Sequence, residues 1–219
     1  DMSKTGAEIA LGLVGLMTFW LGIMKVGEKG GMINIFARIV GPFFSKIFPE
    51  VPKNHPALGS ILMNFSANML GLDNAATPLG LKAMKELQEI NPDKETASNA
   101  QIMFLVLNAS SLVLIPTSIM AFRKTAGAAD PSDIFIPCLL ATFFSTLVGL
   151  VVTAIYQKIN LFQKTILLYL GSIGLVIGGA LYYFSGQSQE QINLISGVVG
   201  NVLLFGIIIS FITLALFRK

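Results

Sequence analysis

Residues 64–80, N-F-S-A-N-M-L-G-L-D-N-A-A-T-P-L-G, gather Asn64, Ser66, Asn68, Asp73, Asn74 and Thr77 in an otherwise apolar stretch. Carboxamides and hydroxyls donate and accept hydrogen bonds without carrying charge, and Asp73 adds an acceptor for a proton or cation. That inventory suits binding of a small polar solute. Asn64 and Asn68 are four residues apart and share one helix face. Gly71 tolerates the left-handed angles that end a helix. Asp73 or Thr77 can cap a second helix, with Pro78 in its first turn. A second cluster lies in L-N-A-S-S-L-V-L-I-P-T-S, residues 107–118: Asn108, Ser110, Ser111, Pro116, Thr117 and Ser118. Pro116 cannot donate to the carbonyl of Leu112, so a helix through this stretch is kinked there. The plainer role for single residues of either cluster is to hydrogen-bond across a helix interface, at roughly 0.6 kcal/mol each.

The elements that must position these groups are membrane helices. Charged residues make up 12% of the chain and hydrophobic residues 53%, with a mean hydropathy of +0.72. Residues 96–122, 134–157, 165–189 and 191–217 carry no charge. Each stretch exceeds the ~20 apolar residues that cross a bilayer as a helix. This composition excludes a soluble enzyme, a disordered adaptor and, despite a net charge of +3, a nucleic-acid binder, because the bases form no polybasic run. The expected fold class is therefore all-α: a polytopic integral membrane protein, one membrane domain over 1–219, with about five spanning helices. Residues 9–24 read as a short spanning helix, and spans follow at about 98–122, 134–157, 165–184 and 192–217.

Two segments read differently. In residues 28–48, Met32, Phe36, Ile39, Phe43 and Ile47 recur at helical spacing, with Asn34, Arg38 and Ser45 opposite. An amphipathic, basic segment between apolar runs reads as a helix lying in the membrane interface, kinked at Gly41-Pro42. Residues 54–89 hold two half-length helices around the polar break at 71–74, which reads as a re-entrant hairpin. Its polar break would lie at mid-membrane depth, where discontinuous helices of transporters hold substrates and ions. The hairpin leaves Lys25, Lys29, Arg38, Lys46 and Lys53 on the same, cytoplasmic side as Lys82, Lys85 and Lys94. Only Arg123 and Lys124 then fall on the side that the positive-inside rule disfavours.

Other chemistries find no support. Cys138 is the one cysteine and His55 the one histidine, so neither a disulfide framework nor metal-ligand spacing exists, and no cofactor is called for. His55 and Ser60 lie too close together for a serine-histidine pair, and Asp73 has no second acid at depth for an aspartyl site. No enzyme is expected. The chain opens on Asp1-Met2-Ser3-Lys4, and an N-terminal piece holding a further span is expected to precede it.

The string from 68 to 80, the following L-K-A-M-K-E-L-Q, the 99–116 stretch and A-D-P-S-D-I-F-I-P together resemble the spore maturation protein A family. That family is part of the nucleoside-recognition or gate-domain group, which includes parts of concentrative nucleoside transporters and ferrous iron transporters. K-I-N-L-F-Q and the Arg218-Lys219 end resemble the form fused to, or partnered with, spore maturation protein B. The resemblance implies a multi-pass protein of the bacterial inner (plasma) membrane that acts as half of a small-solute transporter or channel. It implies substrate contacts at Asn68, Asp73, Asn74, Thr77 and the 108–117 stretch, which Asn64 joins by its helix face. Full nucleoside transporters carry two inverted gate repeats, and one convincing hairpin is visible here. A second half would come from a B-type subunit or from a homo-oligomer. The alternative is a non-transporting membrane scaffold for spore or envelope maturation.

Overall fold

A computed structural model describes residues 29–71, 73–114 and 116–217, and within the N-terminal stretch residues 7, 11, 14, 18, 22, 23 and 25–27. At residues 73–75, 117, 118 and 189 it describes the backbone only. The described chain is helical throughout: α1 (Met32–Ile47), α2 (Pro56–Met69), α3 (Asp73–Ile90), α4 (Asn99–Ser110), α5 (Thr117–Thr125), α6 (Phe135–Tyr156), α7 (Lys164–Ser185) and α8 (Gln189–Phe217). Among the described residues no strand occurs. Among the described residues three helices are long and apolar enough to cross a membrane: Phe135–Tyr156, Lys164–Ser185 and Glu190–Phe217. The span expected at 9–24 falls mostly outside the described residues.

The chain divides into two compact units. One comprises Ile33–Val113 and Leu140–Gly186. Its core joins Phe44, Ile47 and Phe48 to Ile61, Phe65, Leu87, Met103 and Phe104. An aromatic ladder runs through it, with ring centroids 4.8 Å apart for Phe44 and Phe65 and 5.9 Å for Phe65 and Phe104. Local chemistry sets the helix ends. Gly31, at φ 85, precedes α1. His55 caps α2 by accepting from the Ala57 N–H at 3.3 Å, with Pro56 in the first turn. The histidine thus serves as a helix cap. Ser98 and Gln101 form a reciprocal capping box at the start of α4. α2 and α3 pack against each other, and Lys82 meets Glu86 at 3.7 Å along α3.

Two elements differ from the sequence expectation. The uncharged 98–122 stretch is not one kinked helix. α4 ends at Ser110, residues 111–114 are non-helical, and helix resumes at Thr117. Proline disfavours helical angles in the residue before it as well as removing a bond, and partners in α6 hold the rest of the break open. Helix α3 begins at Asp73, which leaves Pro78 inside the helix. Thr77 is therefore a helical residue and not the cap.

The other unit comprises Asp1–Met32, Leu114–Leu139 and Gln187–Lys219. Small residues of α8 set its packing. Ser196, with no exposed surface, accepts from the Ile136 N–H at 3.0 Å and donates to the Asp133 carbonyl at 2.7 Å. A side chain at Gly200 would meet Phe135, and one at Gly197 would meet Asp130. A side chain at Gly27 would collide with the fully buried Phe211 ring. Arg123 is paired with Asp133. The Asp130 carboxyl is held below its ordinary value by hydrogen bonds from the Ser132 hydroxyl and N–H, helped by Arg123.

Ser196→Ala should lower stability by about 1–3 kcal/mol, because it strands a buried N–H, and thermal unfolding in detergent micelles will register the loss. A folded-state carboxyl pKa below the unfolded value adds stability at pH above about 3.8, lost as pH falls through the folded value. Ser132→Ala should therefore flatten the acid side of the melting-temperature profile in that window. An unchanged profile would remove Asp130 from the account.

Candidate functional site

The polar residues singled out in α2 and α4 meet inside the unit formed by Ile33–Val113 and Leu140–Gly186. Asn108 donates to the Phe104 carbonyl at 3.0 Å, which fixes its Oδ1 as an acceptor. Asn68 donates to that oxygen at 2.9 Å and lies 3.4 Å from Asn64 Oδ1. Asn64 in turn donates to the Ala76 carbonyl of α3 at 2.7 Å. Three carboxamides thus link three helices in one chain of hydrogen bonds. Asn64 is nearly fully buried, where an unpaired amide would cost about 1–3 kcal/mol.

The chain lines an open cavity of about 440 Å³, with Asn64, Asn68, Thr77 and Asn108 on its polar side and Leu81 and Met84 among its apolar walls. Gly71, at φ 71, ends the first of the paired helices as its type predicts, and its N–H returns to the Asn68 carbonyl at 3.0 Å. Gly80 has a different task. A Cβ there would lie 2.9 Å from Asn64 Nδ2, so only glycine lets the amide cross to Ala76.

Ser110 and Ser111 are not brought to the cavity. The Ser110 hydroxyl donates back to the Val106 carbonyl at 2.9 Å, and Ser111 closes the helix through its N–H to the Leu107 carbonyl at 3.0 Å. The side chains of Asp73, Asn74 and Thr117 lie outside the described residues. Two threonines that sequence reasoning passed over hold the helix break. Thr146 donates to the Ser110 carbonyl at 3.1 Å, and Thr142 Oγ1 accepts from the Val113 N–H at 3.3 Å. Their four-residue spacing in the apolar α6 was the available signal. Among the described residues no cluster of His, Cys, Asp or Glu could hold a metal ion.

Alanine in place of an exposed helical glycine normally stabilises by up to about 1 kcal/mol. Gly80→Ala should do the opposite and cost about 1–3 kcal/mol, because a methyl overpacks Asn64. Asn64→Ala in the same chain should recover part of that loss, giving a non-additive double-mutant cycle. Strictly additive melting shifts would show that Gly80 and Asn64 are independent.

Residues 10–126 match the family model Gate, described as nucleoside recognition. The chain is 43% identical over 150 residues to spore maturation protein A of Bacillus subtilis (strain 168), an overlap covering 68% of this chain and 76% of that protein. No solved structure matches. The carboxamide chain and both of its helix ends fall within the matched segment, and the chain belongs to the spore maturation protein A family of Gate, or nucleoside-recognition, membrane proteins.

Proposed function

We propose that the protein is half of a small-solute transporter or channel in the bacterial inner membrane, with its binding site at the junction of α2, α3 and α4. The observation that carries this is the Asn64–Asn68–Asn108 hydrogen-bond chain along an open cavity. Its volume lies within the roughly 300–1,000 Å³ common for small-molecule sites. Polar groups cost free energy in hydrocarbon unless paired or wetted, and three carboxamides beside an open cavity are suited to both.

In this account α2 and α3 form a re-entrant hairpin within 54–89, whose connection lies at mid-membrane depth. α1, within 28–48, lies in the interface, and the chain crosses the membrane about five times. The start of α3 turns a partial positive end toward the site, while the C-termini of α2 and α4 turn partial negative ends toward it. Asp73, Asn74, Thr77 and Thr117 complete the binding groups, and motion of the hairpin gates access. The cavity is open on one side because it is one half of the site. A spore maturation protein B-like subunit, or a second copy of this chain, supplies the other. No covalent chemistry is assigned to it, and it is not an enzyme.

The test is a thermal-shift screen of the purified chain with its B-type partner against nucleosides, small carboxylates and divalent cations. It is run in parallel on Asn68→Ala and Asp73→Ala. A ligand that stabilises the wild type alone, together with loss of function in vivo for both variants, is the expected outcome. Full function in both variants, with loss instead on neutralising Lys82, Lys85 and Lys94, would replace the transporter by a scaffold that recruits maturation enzymes.

A further inference from the structure

A second cavity, of about 110 Å³, lies in the same unit but on different chemistry. Phe43 and Phe44 of α1, Phe65 of α2, Leu147 of α6 and Leu170 of α7 are among its walls. Of its lining residues only Thr146 and Tyr169 carry a hydroxyl, and both hydroxyls are already engaged. Thr146 donates to the Ser110 carbonyl at 3.1 Å, and Tyr169 donates to the Ile39 carbonyl at 2.6 Å. A water molecule needs two to four polar partners, and this cavity offers none to spare. Apolar cavities of about this size stay dry and take up apolar molecules.

Two of its walls, α6 and α7, are membrane-length helices, so the neighbouring medium is hydrocarbon. Ile39 and Phe144, beside lining residues in sequence, are exposed. The third wall, α1, is cationic: Arg38 and Lys46 lie along Met32–Ile47, and no acid does. Arg38 is exposed, about 160° round the helix from Val40, which lines the cavity. One helix therefore presents an apolar face to the cavity and a base on its far side, the arrangement of an element at the boundary between acyl chains and head groups.

We propose that this cavity is a lipid site, in which a short segment of one acyl chain of an anionic phospholipid from the surrounding bilayer enters between α1, α6 and α7 while its phosphate lies near the basic face of α1. Inside a bilayer the chain gains no hydrophobic driving force over bulk lipid, and dispersion contacts with the ring-lined walls favour its entry. The charge of Arg38 supplies selectivity, about fivefold for one base near the head group. The inference rests on membrane residence alone and stands whether or not the amide-lined cavity transports a solute.

The experiment uses the full chain in micelles holding equal amounts of phosphatidylglycerol and phosphatidylcholine, with retained lipid counted by native mass spectrometry. The wild type should keep one phospholipid, with phosphatidylglycerol favoured about fivefold. Arg38→Ala changes an exposed position. It should bring the two lipids toward parity without reducing the total. Leu147→Phe, which fills the cavity, should lose the lipid while keeping the helical content of the wild type. Absence of retained lipid on the wild type would overturn the proposal, as would wild-type retention by a folded Leu147→Phe chain. Equal retention of both lipids by the wild type would overturn the anionic assignment.

Discussion

Hydrocarbon offers no partner to a backbone N–H or C=O, so a membrane chain that leaves helix must satisfy its freed groups from its own side chains. This chain leaves helix around Gly71 and again at 111–114, and side chains of neighbouring helices bond beside both interruptions. Near the first, Asn64 crosses from α2 to the Ala76 carbonyl of α3 at 2.7 Å. At the second, Thr146 and Thr142 of α6 take the Ser110 carbonyl and the Val113 N–H. The threonines of α6 thus take groups that the 111–114 break frees, and Asn64 ties α2 to α3 beside the other. The amides beside the first break also line an open cavity.

The same constraint explains why the amides occur as a connected set. A lone buried asparagine leaves donors or acceptors unmet, whereas a chain from the Phe104 carbonyl through Asn108, Asn68 and Asn64 to Ala76 uses each amide in turn. Its geometry depends on Gly80, where a Cβ would lie 2.9 Å from the Asn64 amide nitrogen. The network and the close helix approach are one design: small where backbone and amide must meet, polar where a helix has ended.

What could be read from the sequence follows from which features are local. Gly71 announces its break because a left-handed residue is a property of glycine itself, and the observed φ of 71 agrees. The shared face of Asn64 and Asn68 is helix geometry and needs no tertiary knowledge. The extent of the second break was illegible for the opposite reason. Leu112, Val113 and Leu114 read as ordinary spanning helix, and only Thr142 and Thr146, some thirty residues on, make a non-helical path affordable there. Ser110 and Ser111 were legible as polar residues, but their hydroxyl and N–H orientations depend on where the helix stops. The charge-free stretches located the three long apolar helices and overstated the 98–122 stretch, because absence of charge reports the medium and not the continuity of the backbone.

A further consequence concerns the two faces of the break. The Ser110 carbonyl accepts a threonine that also lines the apolar cavity, while Asn108, two residues earlier, lines the polar one. Because successive helical residues point about 100° apart, the end of α4 presents an amide to one side and a capped, apolar surface to the other. A shift of this helix end toward either side would have to remake the Thr146 bond or the Asn68 bond. The walls of the two cavities are in this way tied to one short piece of backbone by the hydrogen bonds that hold it.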